Sequence, residues 1–238
     1  MASRETPLIN THFYHVIFRG IDGRTIFQDD QDYYRMVHDI FEFNDDDYTV
    51  STYRLDQWER ELVIKNRRKR DFLVRVHAFC LMPNHVHLIL EQVKEGGISK
   101  FMHKLCGGYS RFFNCKYKRK GHLFQDKFKS VHIADDTQFN FLFVYVHTNP
   151  IAILCPDWKN SGIDGNEKDI VNFIENYKWS SYRDYLLSDN FPSVTQREYF
   201  LEINTKEKWQ EFVNDWVLLK KEIFDLEKNR DIALEDDF

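Results

Sequence analysis

A hairpin pattern in residues 77–91 limits the possible folds of this chain more than any other segment. A run of mostly apolar residues leads to Pro83-Asn84, and a second apolar run follows at once. Two strands joined by so short a link form an antiparallel hairpin. The second strand opens with His85 and His87, and alternate side chains of a strand point to the same face. The sequence therefore predicts two neighbouring imidazoles on a rigid strand, which is half of a metal site.

The elements around this hairpin predict an α+β domain. Strands are predicted over residues 13–18, 72–81, 85–91 and 122–133, and helices over 29–44, 99–117 and 135–148. This order is typical of a ferredoxin-like sandwich, an antiparallel sheet of four to five strands with helices on one face. A further helix is predicted over 206–230 from its apolar stripe. We therefore expect a domain over 1–187, with an insertion at 45–71, and a C-terminal helical extension over 188–238.

Composition indicates a globular protein of the cytoplasm. Hydrophobic residues make up 42% of the 238 residues, which is enough for one full core. No apolar run approaches the roughly 20 residues of a membrane span, so no membrane partner is expected. The first residues lack the apolar core of a signal peptide. The four cysteines are scattered without a CxxC pair, which indicates reduced thiols.

The charge of the chain is unevenly distributed. The formal net charge is −5, which argues weakly against a nucleic-acid partner. Residues 100–129, however, hold nine Lys or Arg and a single acid, Asp126. Such a local basic surface can bind a phosphate backbone, although a solvated helix face gives the same pattern. The predicted DNA-binding residues are Lys104, Arg111, Lys116, Lys118, Arg119, Lys120, Lys127 and Lys129.

Four motifs together give the chain a resemblance to a known family. They are MPNHVHLIL from Met82, GHLFQDKFKS from Gly121, YVHTNP from Tyr145 and KWSSYRDYL from Lys178. In this order they resemble the single-tyrosine HUH transposases of the IS200/IS605 type, and most closely their REP-associated relatives. The resemblance covers residues 11–187. It implies a bacterial, nucleoid-associated enzyme that cuts and rejoins hairpin-containing single-stranded DNA through a 5′-phosphotyrosine intermediate.

The resemblance also assigns roles to individual residues. His85 and His87 would bind a divalent metal, Mg²⁺ or Mn²⁺, and Tyr145 would be the nucleophile. Asn149, one helical turn after Tyr145, would complete the metal site, where the family often has Gln. Members of the family act as homodimers or as monomers, and the sequence leaves both states open.

Two other functions fit parts of the sequence. His85, His87 and Glu91 match HxHxxxE, the metal signature of cupin enzymes. Cupins, however, are Gly-rich all-β barrels, whereas this chain has long helical segments and 9 Gly. A DNA-binding regulator that keeps the transposase fold without its catalysis is the second alternative.

Overall fold

The computed structural model describes residues 7–47, 70–156, 158, 166–186, 188 and 190–218. Most of the predicted insertion at 45–71, and the predicted helix beyond residue 218, lie outside the described residues. The strands are β1 (Phe13–Arg19), β2 (Val74–Met82), β3 (His85–Gln92) and β4 (Lys129–Ile133). The helices are α1 (Asp30–Glu42), α2 (Gly97–Lys116), α3 (Asp136–Thr148), α4 (Ile151–Leu154), α5 (Glu167–Asn176), α6 (Tyr182–Tyr185), α7 (Glu198–Ile203) and α8 (Lys206–Leu218).

The strands form an antiparallel sheet in the order β2-β3-β1-β4. This is the strand order of a ferredoxin-like sandwich, so the predicted α+β fold is confirmed. β1 is central, and its Ile17 pairs with His87 on one side and with Lys129 on the other. Because directly paired residues of an antiparallel sheet project to the same face, this register fixes which side chains surround the histidines.

Helices cover both faces of the sheet. Phe18 lies on one face and contacts the ring of Phe124, which in turn contacts Tyr109 of α2. His15 lies on the opposite face and contacts the ring of Tyr145 in α3. The helices α1 and α2 thus cover one face as expected, whereas α3 covers the face that carries His85 and His87.

The fourth strand is shorter than its sequence predicts. The prediction covered residues 122–133, but β4 begins only at Lys129. β1 ends at Arg19, and Gly20 then leads into a turn. Because β1 does not continue beyond Arg19, residues 122–128 do not extend the pairing between β1 and β4. They pair with the chain just after β1 through an isolated bridge between Gly20 and Phe124.

The segment over residues 190–218 packs against the sheet and α3. The side chain of Gln196 accepts a hydrogen bond from Val76 N at 2.7 Å, and the backbone N–H of Gln196 donates to Val76 O at 2.9 Å. In α8, the fully buried Trp209 ring lies 4.0 Å from the Phe143 ring of α3, centroid to centroid. These contacts join the segment to the edge strand β2 and to α3. Among the described helices, none is both long and apolar enough to cross a membrane.

Candidate active site

His85 and His87 lie side by side at the start of β3, as the strand pattern predicts. Their ring centroids are 4.8 Å apart and their planes meet at 78°. His85 Nδ1 lies 2.7 Å from the side-chain oxygen of Asn84, and His87 Nδ1 lies 2.9 Å from His15 Nε2. Because both Nδ1 atoms face protein neighbours, the buried Nε2 atoms are the nitrogens suited to bind a metal.

His15 belongs to this cluster, although the sequence analysis did not select it. It lies on β1, is fully buried, and its ring is almost coplanar with that of His87, at 5°. The signal available in the sequence was one polar residue on the inward-facing side of an apolar strand, Phe13–Arg19. That pattern does not reveal a partner, because the register of β1 against β3 is a long-range property.

Tyr145 reaches the histidines from α3. Its ring centroid lies 5.7 Å from that of His87 and 6.0 Å from that of His15, and it meets both rings edge to face. On its other side, the parallel ring of Phe141 lies 6.2 Å away. The structure thus brings the predicted nucleophile to the predicted metal-binding pair within one chain.

The cluster is closed to solvent. Tyr145 is 4% exposed, His85 7% and His87 0%. A DNA phosphate can therefore reach Tyr145 only when side chains around it move. The two histidine rings are not splayed apart, and their role as metal ligands stays a prediction.

Arg19 places a positive charge beside the cluster. It ends β1, pairs directly with His85 and so lies on the same sheet face. Partial burial lowers the pKa of Arg19 below its ordinary value, while an electrostatic interaction with Tyr145 acts in the opposite direction. The sequence did not predict Arg19 as a site residue, because an arginine at the end of a strand is usually exposed to solvent.

A buried hydrogen-bond network holds the C-terminal end of α3. His147 Nε2 lies 2.9 Å from Ser181 Oγ, which also accepts a hydrogen bond from Phe79 N at 2.9 Å. All three residues are fully buried. Burial lowers the pKa of His147 to about 3, so its ring is neutral near pH 7. This network connects the helix of Tyr145 to β2 and to the KWSSYRDYL motif.

Asn149 caps the end of α3. It is 1% exposed, and its Nδ2 donates a hydrogen bond to the carbonyl oxygen of Tyr145 at 2.9 Å. The backbone N–H of Asn149 donates to the same oxygen at 3.2 Å. This is a helix-capping role, and the predicted role of Asn149 as a metal ligand stays a prediction.

Glu91 has partners of its own, away from the histidine pair. Its carboxylate forms an ion pair with Arg75 and lies 3.1 Å from His77 Nε2. Burial favours the protonated carboxyl, but the hydrogen bond from His77 and the charge of Arg75 outweigh it and hold the pKa of Glu91 below its ordinary value. Across the described residues, no group of three or more His, Cys, Asp or Glu side chains is arranged to hold a metal. The cupin arrangement is therefore not formed, and the sheet is not a cupin barrel.

Two of the eight predicted DNA-binding residues are held by acidic segments. Lys104 Nζ donates to the backbone oxygen of Asp47 at 2.7 Å. Lys116 Nζ pairs with the carboxylates of Asp29 and Asp32, at 2.7 and 2.8 Å. These contacts fasten α2 to α1 and to the loop after it, so both lysines have a structural role.

The remaining basic residues lie toward the end of α2 and after it. Arg119 donates to the side chain of Asn114 and to the backbone of His122. Lys129 pairs with Ile17 and so lies on the sheet face of His87, two strands away. The exposed residues of the set are Arg111, Lys118, Lys120 and Lys127. No contact with DNA is part of the structure, so the DNA-binding assignments stay predictions.

Comparisons with known proteins show which family this chain matches. A family model described as "Transposase IS200 like" matches residues 9–149, well over half of the chain. One solved structure, of a REP-associated tyrosine transposase bound to a REP hairpin, is 14% identical to this chain. That likeness covers 81% of this chain and 90% of the other, with a TM-score of 0.44. No curated protein is similar enough to this chain to count as a match.

Proposed function

This chain belongs to the IS200-like transposase family, whose members are enzymes that act on DNA, and from that membership we propose that it cuts and rejoins single-stranded DNA with Tyr145 as the nucleophile. The observation that carries the proposal is the contact of the Tyr145 ring with His87, which is itself beside His85. A phenol can attack a phosphodiester, and two neighbouring imidazoles can hold the cation that assists the attack.

The histidine pair fits a divalent metal such as Mg²⁺ or Mn²⁺. Asn84 and His15 occupy the Nδ1 sides of His85 and His87, so both Nε2 atoms can act as ligands. Two imidazoles are an incomplete ligand set, and we propose that the side-chain oxygen of Asn149, water and DNA phosphate supply the remaining ligands. A bound cation would neutralise a non-bridging phosphate oxygen and polarise the phosphorus.

The chain also supplies its own charges for the phosphate. Arg19 and Lys129 lie on the sheet face of the histidines, at the end of β1 and on β4. A guanidinium can hold two phosphate oxygens at once, whereas an ammonium acts as a point charge. We propose that Arg19 orients the scissile phosphate beside Tyr145 and that Lys129 holds the adjoining backbone.

The proposed reaction is a transesterification. Tyr145 Oη loses its proton to water and attacks the phosphorus, and the new bond joins Oη to the 5′ phosphate. The bond from phosphorus to the 3′ oxygen breaks, and that oxygen takes up a proton from water and leaves as a free 3′ hydroxyl. The covalent phosphotyrosine stores the energy of the broken bond, so a second 3′ hydroxyl can reverse the step on another strand without ATP. The resemblance of the four sequence motifs to the REP-associated relatives supports a hairpin beside the cut.

A covalent adduct tests this proposal. The protein is incubated with Mn²⁺ and 5′- or 3′-labelled single-stranded oligonucleotides that contain a hairpin, and adducts are resolved on a denaturing gel. We expect an adduct with the strand downstream of the cut and its loss in Tyr145→Phe. Tyr182→Phe is the matched control, since Tyr182 is a buried tyrosine on α6, outside the cluster.

The outcomes separate the alternatives. An adduct that persists in Tyr145→Phe refutes Tyr145 as the nucleophile. Tight binding of hairpin DNA without cleavage of any hairpin substrate, with Mg²⁺ or Mn²⁺, would identify the chain as a regulator that keeps the fold.

A further inference from the structure

His15 contacts the proposed metal-binding pair directly. Its Nε2 lies 2.9 Å from His87 Nδ1, and the two rings differ by only 5° in orientation. A nearly coplanar arrangement at this distance is a well-aligned hydrogen bond. His15 is fully buried on the central strand of the sheet. Its ring is therefore held rigidly, and it can in turn fix the ring that it contacts.

The direction of this hydrogen bond decides whether His87 can bind a metal. A neutral imidazole has one N–H and one lone-pair nitrogen. If His87 Nδ1 donates to His15, then His87 Nε2 carries the lone pair and can be a ligand. If His15 Nε2 donates instead, the proton of His87 moves to Nε2 and blocks that nitrogen. Asn84 gives His85 a defined direction, because a side-chain oxygen only accepts.

We propose that His15 is a positioning residue that accepts a hydrogen bond from His87 Nδ1 and so holds the His87 Nε2 lone pair ready for the metal. The proposal rests on the metal site described under the proposed function. His15 also contacts the ring of Tyr145, at 6.0 Å between centroids. One side chain from β1 thus orients a proposed ligand on β3 beside the proposed nucleophile on α3.

Two substitutions of His15 separate the hydrogen bond from the packing. In His15→Gln, the side-chain amide reaches the position of His15 Nε2 and its oxygen can accept from His87. In His15→Asn, the amide is one carbon shorter and cannot reach. Both replacements are polar and uncharged, and the position of the proton on His87 reports the hydrogen bond rather than the packing. His77→Gln is the control, because His77 is also buried on the sheet but pairs with Glu91.

The first measurement uses the protein without metal. Nitrogen-15 chemical shifts report which nitrogen of His87 carries the proton. We expect Nδ1–H in the unchanged protein and in His15→Gln, and a mixture of both forms in His15→Asn. The same Nδ1–H shifts in His15→Asn as in the unchanged protein would overturn the proposal.

The second measurement is Mn²⁺ affinity by titration calorimetry. Loss of a hydrogen bond to a metal-binding histidine typically weakens affinity by about 10- to 100-fold. We expect that loss in His15→Asn, with affinity close to the original in His15→Gln and His77→Gln. Equal affinities in the Asn and Gln variants would also overturn the proposal. If the unchanged protein binds no Mn²⁺, the proposed metal site fails, and the nitrogen shifts alone decide the role of His15.

Discussion

Replacement of Ser181 by alanine tests how the helix of the proposed nucleophile is held in place. Ser181 Oγ accepts a hydrogen bond from Phe79 N and lies within hydrogen-bond distance of His147 Nε2, at 2.9 Å each. Ser181 Oγ also lies 3.2 Å from Phe79 O. His147 is neutral near pH 7, and a neutral imidazole has one N–H and one lone-pair nitrogen, so its Nε2 shares one hydrogen bond with Ser181 Oγ in either tautomer. One hydroxyl group therefore forms hydrogen bonds with both β2 and α3.

The expected cost follows from the polar groups that the substitution leaves without a partner. Ser181→Ala removes the partner of two buried groups, the backbone N–H of Phe79 and Nε2 of His147, and both residues are 0% exposed. A buried donor or acceptor without a partner costs about 1–3 kcal/mol. We therefore expect Ser181→Ala to lower the free energy of unfolding by about 2–6 kcal/mol.

Ser180→Ala provides the matched comparison. Ser180 is the neighbouring serine and is equally buried, but within the described residues its Oγ accepts one hydrogen bond, from Tyr182 N at 3.2 Å. By the same reasoning its loss should cost about 1–3 kcal/mol, half the cost of Ser181→Ala. Urea unfolding measures both variants under the same conditions, and adduct formation with hairpin DNA measures the effect on Tyr145. Equal stabilities of the Ser181 and Ser180 variants would refute the reasoning that Ser181 Oγ is the partner of two buried groups.

Two further predictions concern charges at the edges of the site. Glu91→Gln should leave the Mn²⁺ affinity unchanged, because Glu91 pairs with Arg75 and His77. Calorimetry measures this affinity, and weaker binding would indicate that Glu91 is a metal ligand. Because the folded-state pKa of Glu91 is lowered, the unfolded chain takes up this proton first as the pH falls, so the stability from Glu91 is present above its ordinary pKa and is lost below it. Acid unfolding should therefore be less steep in Glu91→Gln than in the unchanged protein, and identical profiles would contradict the cited cause. Lys127→Gln should reduce the slope of log affinity against log salt for single-stranded DNA by about 0.7, the value for one lost phosphate contact. Lys104→Gln should leave that slope unchanged and lower the stability of the protein, because Lys104 is bonded to Asp47. Equal slopes in the two variants would contradict the different roles given to the two lysines.

The local half of the site could be predicted from the sequence, because it depends on periodicity. Strand alternation alone places His85 and His87 on one face, and the structure confirms that the two rings are neighbours. Likewise, an aspartate before an apolar helix predicts a cap, and Asp135 accepts a hydrogen bond from Gln138 N at 2.8 Å at the start of α3. These features need only residues a few positions apart.

The other half depends on the pairing of distant strands, which periodicity does not contain. His15 and Arg19 enter the site because β1 lies beside β3 in a particular register. A shift of that register by one residue would turn both side chains to the opposite face. The closing of the site by α3 is likewise a matter of tertiary packing, since the α+β pattern by itself predicted helices on one face only.

The pairing of charged side chains also depends on tertiary structure, which the sequence pattern does not contain. This pairing changes the surface on which DNA is expected to bind. The sequence shows a basic run, but it does not show that acidic segments far away along the chain hold Lys104 and Lys116. Lys118 and Lys120 stay exposed past the end of α2 and come shortly before Gln125 in the chain. The backbone N–H of Gln125 donates to the carbonyl oxygen of Arg19 at 3.0 Å, which joins this segment to the end of β1. Arg19 pairs with His85, so this segment leads directly to the histidine pair. A DNA strand that follows the exposed charges would therefore arrive at the cluster from the β4 side of the sheet, past Arg19, rather than along the length of α2.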